Sequence, residues 1–265
     1  MRAEAIVKLG GSVITIKDKP MSVNRRALNR LAAEVSASNL KKVVIVHGGG
    51  SFGHPLALKY KLNERFMGLE EQIAGFVATH KAMLKLNGEV LEALERKGLK
   101  AVPFPPIAFT ILASGILKKV FYEPFINALN MNLTPVTFGD VAFDLDKGFS
   151  IVSGDLLMFE LSRKIKPSKV IFTIDVDGLY PADPKYNSNV ELIAEATVAE
   201  VESLLSRLSF KSSNATGGMR FKLEQACRIA SMGIDVHIVN GLKPGRLFKA
   251  LKGEKVRGTL IKGVR

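Results

Sequence analysis

Short runs of apolar, mostly β-branched residues alternate along the chain with longer segments whose apolar residues recur at helical spacing. Residues 5–9 and 43–46 form two such runs, and residues 22–36 and 70–97 form two such segments. Because the runs are apolar at almost every position, each is expected to be a strand that is buried on both faces. Strands of this kind are typical of parallel sheets that helices cover on both sides. The alternation therefore predicts an α/β fold with a mostly parallel sheet.

The rest of the chain continues the same alternation. Further strands are predicted at residues 99–103, 133–138, 169–174 and 235–239, and further helices at residues 155–166, 197–208 and 219–232. Asp155 is expected to cap the first of these helices, and Thr197 with Glu200 has the spacing of a capping box at the second. The proline-rich residues 102–117 are expected to form a buried loop or a pocket wall. Because no linker rich in proline, glycine or serine divides the chain, we expect one continuous unit with two lobes.

The length and the cysteine content indicate a globular protein of a reducing compartment. The 265 residues suffice for one large domain or two small ones, and a chain of this length buries a core without disulfides. Cys227 is the only cysteine in the sequence, which excludes an internal disulfide. The N-terminal residues do not resemble a signal peptide, and no apolar stretch approaches the roughly 20 residues of a membrane span. We therefore expect a soluble, cytoplasmic protein.

The net charge of +13, from 38 Lys and Arg against 25 Asp and Glu, raises the question of an anionic partner. Nucleic acid, an anionic membrane and a small polyanionic substrate all fit this charge, as does a merely solvated basic surface. Modules that bind nucleic acid usually combine basic clusters with aromatic residues. This chain has no Trp and four Tyr, and its lysines are spread along the sequence. The charge alone therefore selects no partner, and the sequence contains no nucleic-acid module.

Glycine-rich clusters stand at three places where predicted strands end and helices begin. They are residues 8–12 (KLGGS), residues 47–54 (HGGGSFGH) and residues 216–219 (TGGM). In open α/β sheets, ligands bind at the carboxyl ends of the strands. Glycine there lets backbone N–H groups approach a phosphate without hindrance from a Cβ atom, and the N-terminus of the following helix favours an anion. Three such clusters, each with a Lys or His close by, favour a phosphate-binding site.

Sequence motifs distinguish the common nucleotide-binding folds. The pattern GxxxxGK[ST] occurs nowhere, so the chain is not a P-loop protein. Residues 48–53 match GxGxxG after a predicted strand, and Glu70 and Glu71 stand about where an acid that binds a ribose would follow. A dinucleotide-dependent oxidoreductase is therefore an alternative, although it leaves the other two glycine clusters unexplained.

Six motifs follow one another over nearly the whole chain. They are residues 8–15 (KLGGSVIT), 47–54 (HGGGSFGH), 139–144 (GDVAFD), 153–155 (SGD), 175–180 (DVDGLY, followed by Asp183 and Pro184) and 216–219 (TGGM, followed by Lys222). In this order they resemble the amino acid kinase family. The first and last mark the whole family, and His54 at the end of the second marks the branch that acts on isopentenyl phosphate and its close relatives. Ile174 and Val152 replace the Thr and Ile that are common in the family, at positions that touch no reacting group.

The resemblance implies a three-layer αβα sandwich and a homodimer, with residues 1–265 as a single family domain. Approximately residues 1–160 would form the lobe that holds the acceptor phosphate, and residues 161–265 the nucleotide lobe. The implied reaction moves the γ-phosphoryl group of ATP, with Mg²⁺, onto the phosphate monoester isopentenyl phosphate in isoprenoid synthesis. A fosfomycin-type kinase or a UMP kinase is the alternative within the family. Neither nucleic acid nor a membrane is an implied partner.

Transfer between two phosphates determines which side chains are needed. A phosphate monoester has a second pKa of about 6, so it is mostly dianionic at neutral pH and attacks without a general base. The enzyme must instead place cations around two anions that repel each other. The resemblance implies that Lys8, Lys17 and Lys222 stabilise the transition state, and that Asp155 holds the ammonium groups of Lys8 and Lys222. Lys8 also interrupts a buried strand, where an unpaired charge is unfavourable.

The other implied site residues divide between acceptor and nucleotide. His54 would donate a hydrogen bond to the acceptor phosphate. An apolar slot for the isopentenyl tail would be lined by Phe76 and Thr79, with Phe104, Ile107 and Ile116 nearby. The acceptor would also contact Gly49, Gly53 and Gly154, and the nucleotide would contact Gly10, Gly11, Ser12, Gly50, Asp175, Gly178, Asp183, Gly218 and Lys222. Mg²⁺ would bind through substrate phosphates and water, with no protein ligand.

The sequence also gives expectations for the remaining histidines and for two further aspartates. His47 is expected to orient its loop, and His80 and His237 are expected to have no catalytic task. Asp140 and Asp144 lie on a predicted turn between the lobes. Contacts to the substrate or a cation, and a role in the turn alone, both fit these aspartates.

Overall fold

The computed structural model describes residues 3–182, 190–207 and 218–264, in which every predicted strand is present. The strands are β1 (Ala5–Leu9), β2 (Val43–His47), β3 (Ala101–Pro103), β4 (Thr110–Ala113), β5 (Ile116–Val120), β6 (Thr134–Phe138), β7 (Asp140–Asp144), β8 (Gly148–Val152), β9 (Lys169–Ile174), β10 (Glu195–Ala196), β11 (Asp235–Asn240) and β12 (Gly258–Ile261). The helices are α1 (Gly11–Ile14), α2 (Arg25–Ala37), α3 (Gly50–Lys59), α4 (Glu70–Glu95), α5 (Pro106–Phe109), α6 (Glu123–Asn130), α7 (Gly154–Ile165), α8 (Val198–Arg207), α9 (Gly218–Ala230) and α10 (Arg246–Lys252).

A mostly parallel sheet lies at the centre of the fold. Within the described ranges its eight strands follow the order β10-β12-β11-β9-β1-β2-β6-β3, and the pairing of β11 with β12 is antiparallel. Every residue of β1 is buried, and Lys8 lies between Val46 of β2 and Phe172 of β9. Because β1, β2 and β9 run in parallel, their carboxyl ends meet at one edge of the sheet.

Helices cover both faces of this sheet. Helices α2, α4 and α10 pack on one face, in a core that includes Val7 and Ile45. Helices α7, α8 and α9 pack on the other face, in a core that includes Ile6 and Phe172. Neighbouring residues such as Ile6 and Val7 thus point to opposite cores, as the two-residue period of a strand requires. The predicted three-layer αβα sandwich is confirmed, and no helix among the described residues has the length and apolar character needed to cross a membrane.

A second, smaller sheet is the main departure from the sequence-based prediction. Residues 102–117, expected to form a loop or pocket wall, instead complete β3 and form α5, β4 and the start of β5. Ser114 and Gly115 join β4 to β5 with positive φ angles of 54° and 83°, and Asp144 accepts the N–H groups of both. In the described part of the chain this sheet has the order β5-β4-β7-β8. The loop prediction is wrong. Prolines are unusual in strands, so the prolines before β4 indicated a loop, and the short strands β4 and β5 gave too weak a signal to correct it.

Capping side chains fix where the helices begin. Ser153, not Asp155, caps α7, because Ser153 Oγ accepts the N–H of Leu156 at 3.1 Å. The predicted cap at Asp155 is therefore wrong, and its carboxylate is available for other contacts. Thr197 and Glu200 form the predicted capping box of α8, with the Thr197 N–H donating to Glu200 Oε2 at 2.7 Å.

Candidate active site

Two glycine-rich turns come into direct contact at the ends of β1 and β2. A Cβ atom at Gly11 would lie 2.4 Å from the Gly50 nitrogen, and one at Gly48 would lie 2.8 Å from the Gly11 nitrogen. Both distances are well below a van der Waals contact, so glycine is what lets the two backbones approach this closely. The two turns together form the floor of a site.

A cleft of about 600 Å³ lies over these turns and collects most of the predicted site residues. Its walls include Lys8, Gly10, Gly11, Ser12, Lys17, Gly49, Gly50, Gly53, His54, Thr79, Gly154, Asp155, Asp175, Gly218 and Lys222. These residues come from both glycine turns, from the five helices α1, α3, α4, α7 and α9, and from the ends of β1 and β9. Parallel strand order thus brings together residues that are far apart in the sequence.

Two predicted residues lie elsewhere, and a third falls outside the described residues. Phe76 is not part of the cleft lining and stacks against Phe143, with ring centroids 5.5 Å apart. A Cβ atom at Gly178 would lie 2.6 Å from Thr259 Oγ1, so Gly178 permits close packing against β12 and does not line the cleft. Asp183 lies outside the described residues, as do residues 184, 208, 216 and 217 of the sequence analysis.

The apolar wall of the cleft also differs from the prediction. Phe104 packs against Phe125, with ring centroids 4.5 Å apart. Ile116 is 72% exposed, and Ile107 does not line the cleft. The apolar lining instead includes Leu58, Met83, Val141 and Ile151, next to Thr79. Sequence reasoning missed β7 and β8, although residues 149–152 (FSIV) are rich in the aromatic and β-branched residues that favour strands.

Two lysines share one buried carboxylate in this cleft. Asp155 Oδ1 pairs with the ammonium groups of Lys8 from β1 and Lys222 from α9, and the Lys222 Nζ atom lies 2.9 Å from it. The side chains of Lys8 and Asp155 are almost completely buried. Two ammonium groups and one carboxylate leave a net positive charge when both lysines are protonated, so the cluster attracts an anion.

Burial controls the charge of this cluster. Loss of solvent lowers the pKa of Lys8 to about 7, and the charge of Lys222 adds to the decrease while Asp155 opposes it. Burial acts to raise the pKa of Asp155, but the charges of Lys222 and Lys8 outweigh burial and hold that pKa at about 2. Asp155 is therefore ionised at neutral pH. A phosphate bound beside Lys8 favours the charged form of Lys8.

His54 lines the same cleft from α3 and is partly buried. Burial lowers its pKa, and the charge of Lys8 lowers it further. The ring is therefore neutral at pH 7, with one N–H group as a donor. Such a ring can donate a hydrogen bond to a phosphate oxygen.

His47 lies beneath the second glycine turn. Its Nε2 atom is 3.2 Å from Asn87 Oδ1, its Nδ1 atom is 3.3 Å from the Gly48 oxygen, and its ring stacks on Phe138. Burial lowers the pKa of His47 to about 4. The neutral ring thus connects β2 with α4 and β6, which agrees with the structural role expected for it.

Acidification is expected to weaken the fold through His47. Its pKa is about 4 in the folded state and about 6.5 in the unfolded state, so between these values His47 binds a proton on unfolding. Its contribution to stability is complete above pH 6.5 and is lost as the pH falls towards 4, by up to about 3 kcal/mol. Urea unfolding from neutral pH down to pH 4 measures this loss. The free energy of unfolding of His47→Gln should depend less steeply on pH than that of wild type. An identical pH dependence in the variant and in wild type would contradict the explanation.

The structure gives His80 a partner that the sequence did not predict. His80 Nδ1 lies 2.7 Å from Asp140 Oδ2, and Asp140 lines the cleft. The hydrogen bond with Asp140 raises the pKa of His80, and burial raises the pKa of Asp140. This pair joins α4 to β7 at the cleft wall.

The predicted turn at Asp140 and Asp144 is wrong, because these residues are the two ends of β7. Asp144 instead accepts the N–H groups of Ser114 and Gly115 in the turn between β4 and β5, and those of Asp146 and Lys147 in the turn that follows β7.

Asp177 fixes the segment that follows β9, next to Asp175 at the cleft. Arg246 donates to its carboxylate at 2.6 Å, and Arg257 donates at 2.8 Å. Asn240 donates a further hydrogen bond at 2.9 Å. Burial acts to raise the pKa of Asp177, but these hydrogen bonds lower it to about 2. Sequence reasoning missed this cluster because its partners lie 63 to 80 positions away and carry no motif.

The fold and the cleft together define a class of protein. Glycine-lined turns at the ends of parallel strands, two lysines on one carboxylate and a neutral histidine are suited to bind phosphate groups side by side. No group of three His, Cys, Asp or Glu side chains that could hold a metal ion occurs in the ranges that the structure describes. The class is an enzyme of phosphoryl transfer on an α/β scaffold.

The chain belongs to the amino acid kinase family, whose model matches residues 4–240. It is 37% identical to the isopentenyl phosphate kinase of Methanothermobacter thermautotrophicus, over 97% of this chain and 98% of that protein. It is 31% identical to the isopentenyl phosphate kinase of Methanocaldococcus jannaschii, over 97% of each chain. An X-ray structure of isopentenyl phosphate kinase is similar with a TM-score of 0.85 and 34% identity, over 97% of this chain and 99% of that one. The resemblance is confirmed, and the oxidoreductase alternative loses its support.

Proposed function

We propose that this chain catalyses the ATP-dependent phosphorylation of isopentenyl phosphate to isopentenyl diphosphate, a step of isoprenoid synthesis. The observation that carries the proposal is the cluster of Lys8, Lys222 and Asp155 in one cleft with His54. It provides the cations and the neutral donor that transfer between two phosphates needs. The choice of acceptor is supported by the relatives named as isopentenyl phosphate kinases.

The nucleotide is proposed to occupy the side of the cleft formed by β1 and α9. Its phosphates lie on the turn Gly10–Ser12 and at the start of α9, where Gly218 and Lys222 line the cleft. Asp175 stands on the adenosine side. Helix α9 has 13 residues, so its dipole favours the phosphates at this end.

The acceptor phosphate is proposed to lie on the second glycine turn. Gly49, Gly53 and Gly154 line the cleft around it, and His54 donates a hydrogen bond to one of its oxygens. An acceptor oxygen attacks the γ-phosphorus of ATP, the bond from that phosphorus to the bridging β–γ oxygen breaks, and ADP leaves with the electron pair. No proton has to be removed from the dianionic acceptor at neutral pH.

The lysines are proposed to act on the transferring group. Lys8 and Lys222, held by Asp155, neutralise charge on its equatorial oxygens. Lys17 is exposed on the loop after α1 and lines the cleft, from where it can reach the same group. Mg²⁺, when bound with ATP, neutralises further charge on the phosphates. Asp140, Asp155 and Asp175 line the cleft but do not form a group that could hold a metal ion, so the ion would be carried by phosphates and water.

A coupled ADP-release assay tests the proposed acceptor. Isopentenyl phosphate is expected to support turnover at least about tenfold above UMP, fosfomycin and an acylated amino acid, because the cleft has an apolar wall beside His54. Equilibrium binding of ATP and of NAD(P)H, measured in parallel, checks the cofactor class. Turnover with one of the other acceptors and none with isopentenyl phosphate would move the chain to a sister activity.

A homodimer is part of the proposal, and α4 offers a surface for it. Ile73, Val77 and Leu84 are all exposed and lie on one face of α4, because they are spaced by four and seven residues. Phe143, which stacks on Phe76 of the same helix, is also exposed. A second copy that presents the same face would bury these side chains from water. The cytoplasm, where ATP is abundant, is the proposed location.

Replacing Ile73 and Val77 by lysine is expected to convert the dimer to a monomer. Two charges on each copy would have to be buried in the contact, which is unfavourable without partners. Sedimentation velocity measures the change in mass. Met232→Lys is the matched control, because Met232 is exposed but follows α9, outside the α4 face. A wild-type monomer, or a double variant that stays dimeric, would refute this surface.

A further inference from the structure

The hydroxyl group of Thr15 connects the two glycine-rich turns. Thr15 follows α1 and is only 3% exposed. Its Oγ1 donates to the Gly11 oxygen at 2.7 Å and accepts the N–H group of Ser51 at 3.0 Å. Gly11 belongs to the turn after β1, and Ser51 belongs to the turn after β2. One side chain therefore bridges the nucleotide side and the acceptor side of the cleft.

The packing around this hydroxyl is tight. A Cβ atom at Gly50 would lie 2.1 Å from Thr15 Oγ1 and 2.6 Å from the Gly11 oxygen, and Gly50 has a φ of +48°. The Thr15 hydroxyl therefore occupies the space between the turns that a side chain at position 50 would need. If the hydroxyl is removed, the buried N–H group of Ser51 loses its partner, which is unfavourable.

The loop that carries Lys17 is attached at the same place. The Ile16 N–H donates to the Ser22 oxygen at 2.9 Å and closes the loop on itself. The Met21 N–H donates to the Ser51 oxygen at 3.1 Å. The loop thus continues directly from Thr15 at its start and is hydrogen-bonded to Ser51 near its end, so a shift of Thr15 and Ser51 would move Lys17 as well.

We propose that Thr15 is a positioning residue, which sets the separation between the donor phosphate, the acceptor phosphate and Lys17. The inference rests on the proposed phosphoryl transfer between the two turns. In-line transfer depends on the distance and alignment of the reacting groups, and a displacement of about 1 Å lowers rates by about a hundredfold. Thr15 lines the cleft, but its hydroxyl is engaged with the backbone of the two turns, so we expect its loss to affect the rate of transfer more than the binding of either substrate.

The test compares Thr15→Val, which has the same shape without the hydroxyl, with Thr15→Ser, which keeps the hydroxyl. We expect Thr15→Val to lower kcat by about 10- to 100-fold while KM for ATP and for isopentenyl phosphate stays within about threefold. Thr15→Ser should restore kcat to within about threefold of wild type. Wild-type kcat in Thr15→Val would overturn the proposal, and so would a serine variant as slow as the valine variant.

Hydrogen exchange of the Ser51 amide provides a readout that needs no substrate. Its protection is expected in wild type and Thr15→Ser and should be lost in Thr15→Val, with far-UV circular dichroism confirming that each chain is folded. If Thr15→Val does not fold, Thr15→Ala, which leaves more space, takes its place with the same expected results. Retained protection in the folded variant would overturn the proposal. If wild type uses a different phosphate acceptor, the proposed function fails, and the kcat comparison is made with that acceptor.

Discussion

Asp155→Asn is expected to lower kcat/KM by about a hundredfold to a thousandfold. Asparagine keeps the shape but loses the charge that holds Lys8 and Lys222 in place. Asp155 also opposes the effect of burial on Lys8, so without it the pKa of Lys8 falls below about 7 and the side chain is neutral in the assay. Loss of one pre-organised group of this kind typically lowers kcat by about 10²–10³-fold.

The measurement is steady-state ADP release over a range of pH. Because Lys8 regains its proton as the pH falls, the activity of Asp155→Asn should recover relative to that of wild type on the acid side of neutrality. Glu160→Gln is the matched control on the same helix, since Glu160 pairs with Tyr122 and Arg163 outside the cleft. Glu160→Gln should retain full activity. Full activity in Asp155→Asn would rule out the proposed role of the cluster.

His54→Ala is expected to lower kcat/KM for isopentenyl phosphate by at least about a hundredfold, while KM for ATP changes little. The ring is the proposed donor to the acceptor phosphate, and alanine has no replacement for that N–H group. Lys222→Ala is expected to change mainly the kinetic constants for ATP. The contrast between these two variants locates the two phosphates within the cleft.

Initial rates with each substrate varied in turn measure both effects. His237→Gln is the control for loss of a histidine, because His237 lies on β11 and does not line the cleft. It should match wild type in both kinetic constants. Normal turnover in His54→Ala, or an equal effect of His54→Ala on both substrates, would contradict the proposed division of the site.

The sequence predicts the central sheet well because its signals are local. Residues 43–46, for example, are apolar throughout, and in the structure every residue of β2 is buried. The glycine-rich turns are also local, since Gly11 and Gly48 are required by a close backbone approach that leaves a visible mark in the sequence. Strand order then places the turns together. The cleft is therefore predictable from short segments once the sheet is known to be parallel.

The parts that the sequence did not predict depend on distant partners. Asp177 meets Arg246 and Arg257 across about 70 to 80 positions, and no motif connects them. Pairing across such a distance is decided by packing and not by local pattern. The apolar wall was missed for the same reason, because Val141 and Ile151 become neighbours of α4 through the second sheet.

The contact between Gly11 and Gly48 has a consequence for how such an enzyme can diverge. A side chain at either position would enter the backbone of the opposite turn, so a substitution on one side cannot be accommodated without a change on the other. Evolution towards a new acceptor is therefore not expected to proceed by substitution of Gly11 or Gly48. Variation is free instead in the wall built by α4, β7 and β8, where Met83, Val141 and Ile151 project from separate elements. Descendants of this scaffold would inherit the phosphate chemistry unchanged and differ in the group that the phosphate carries.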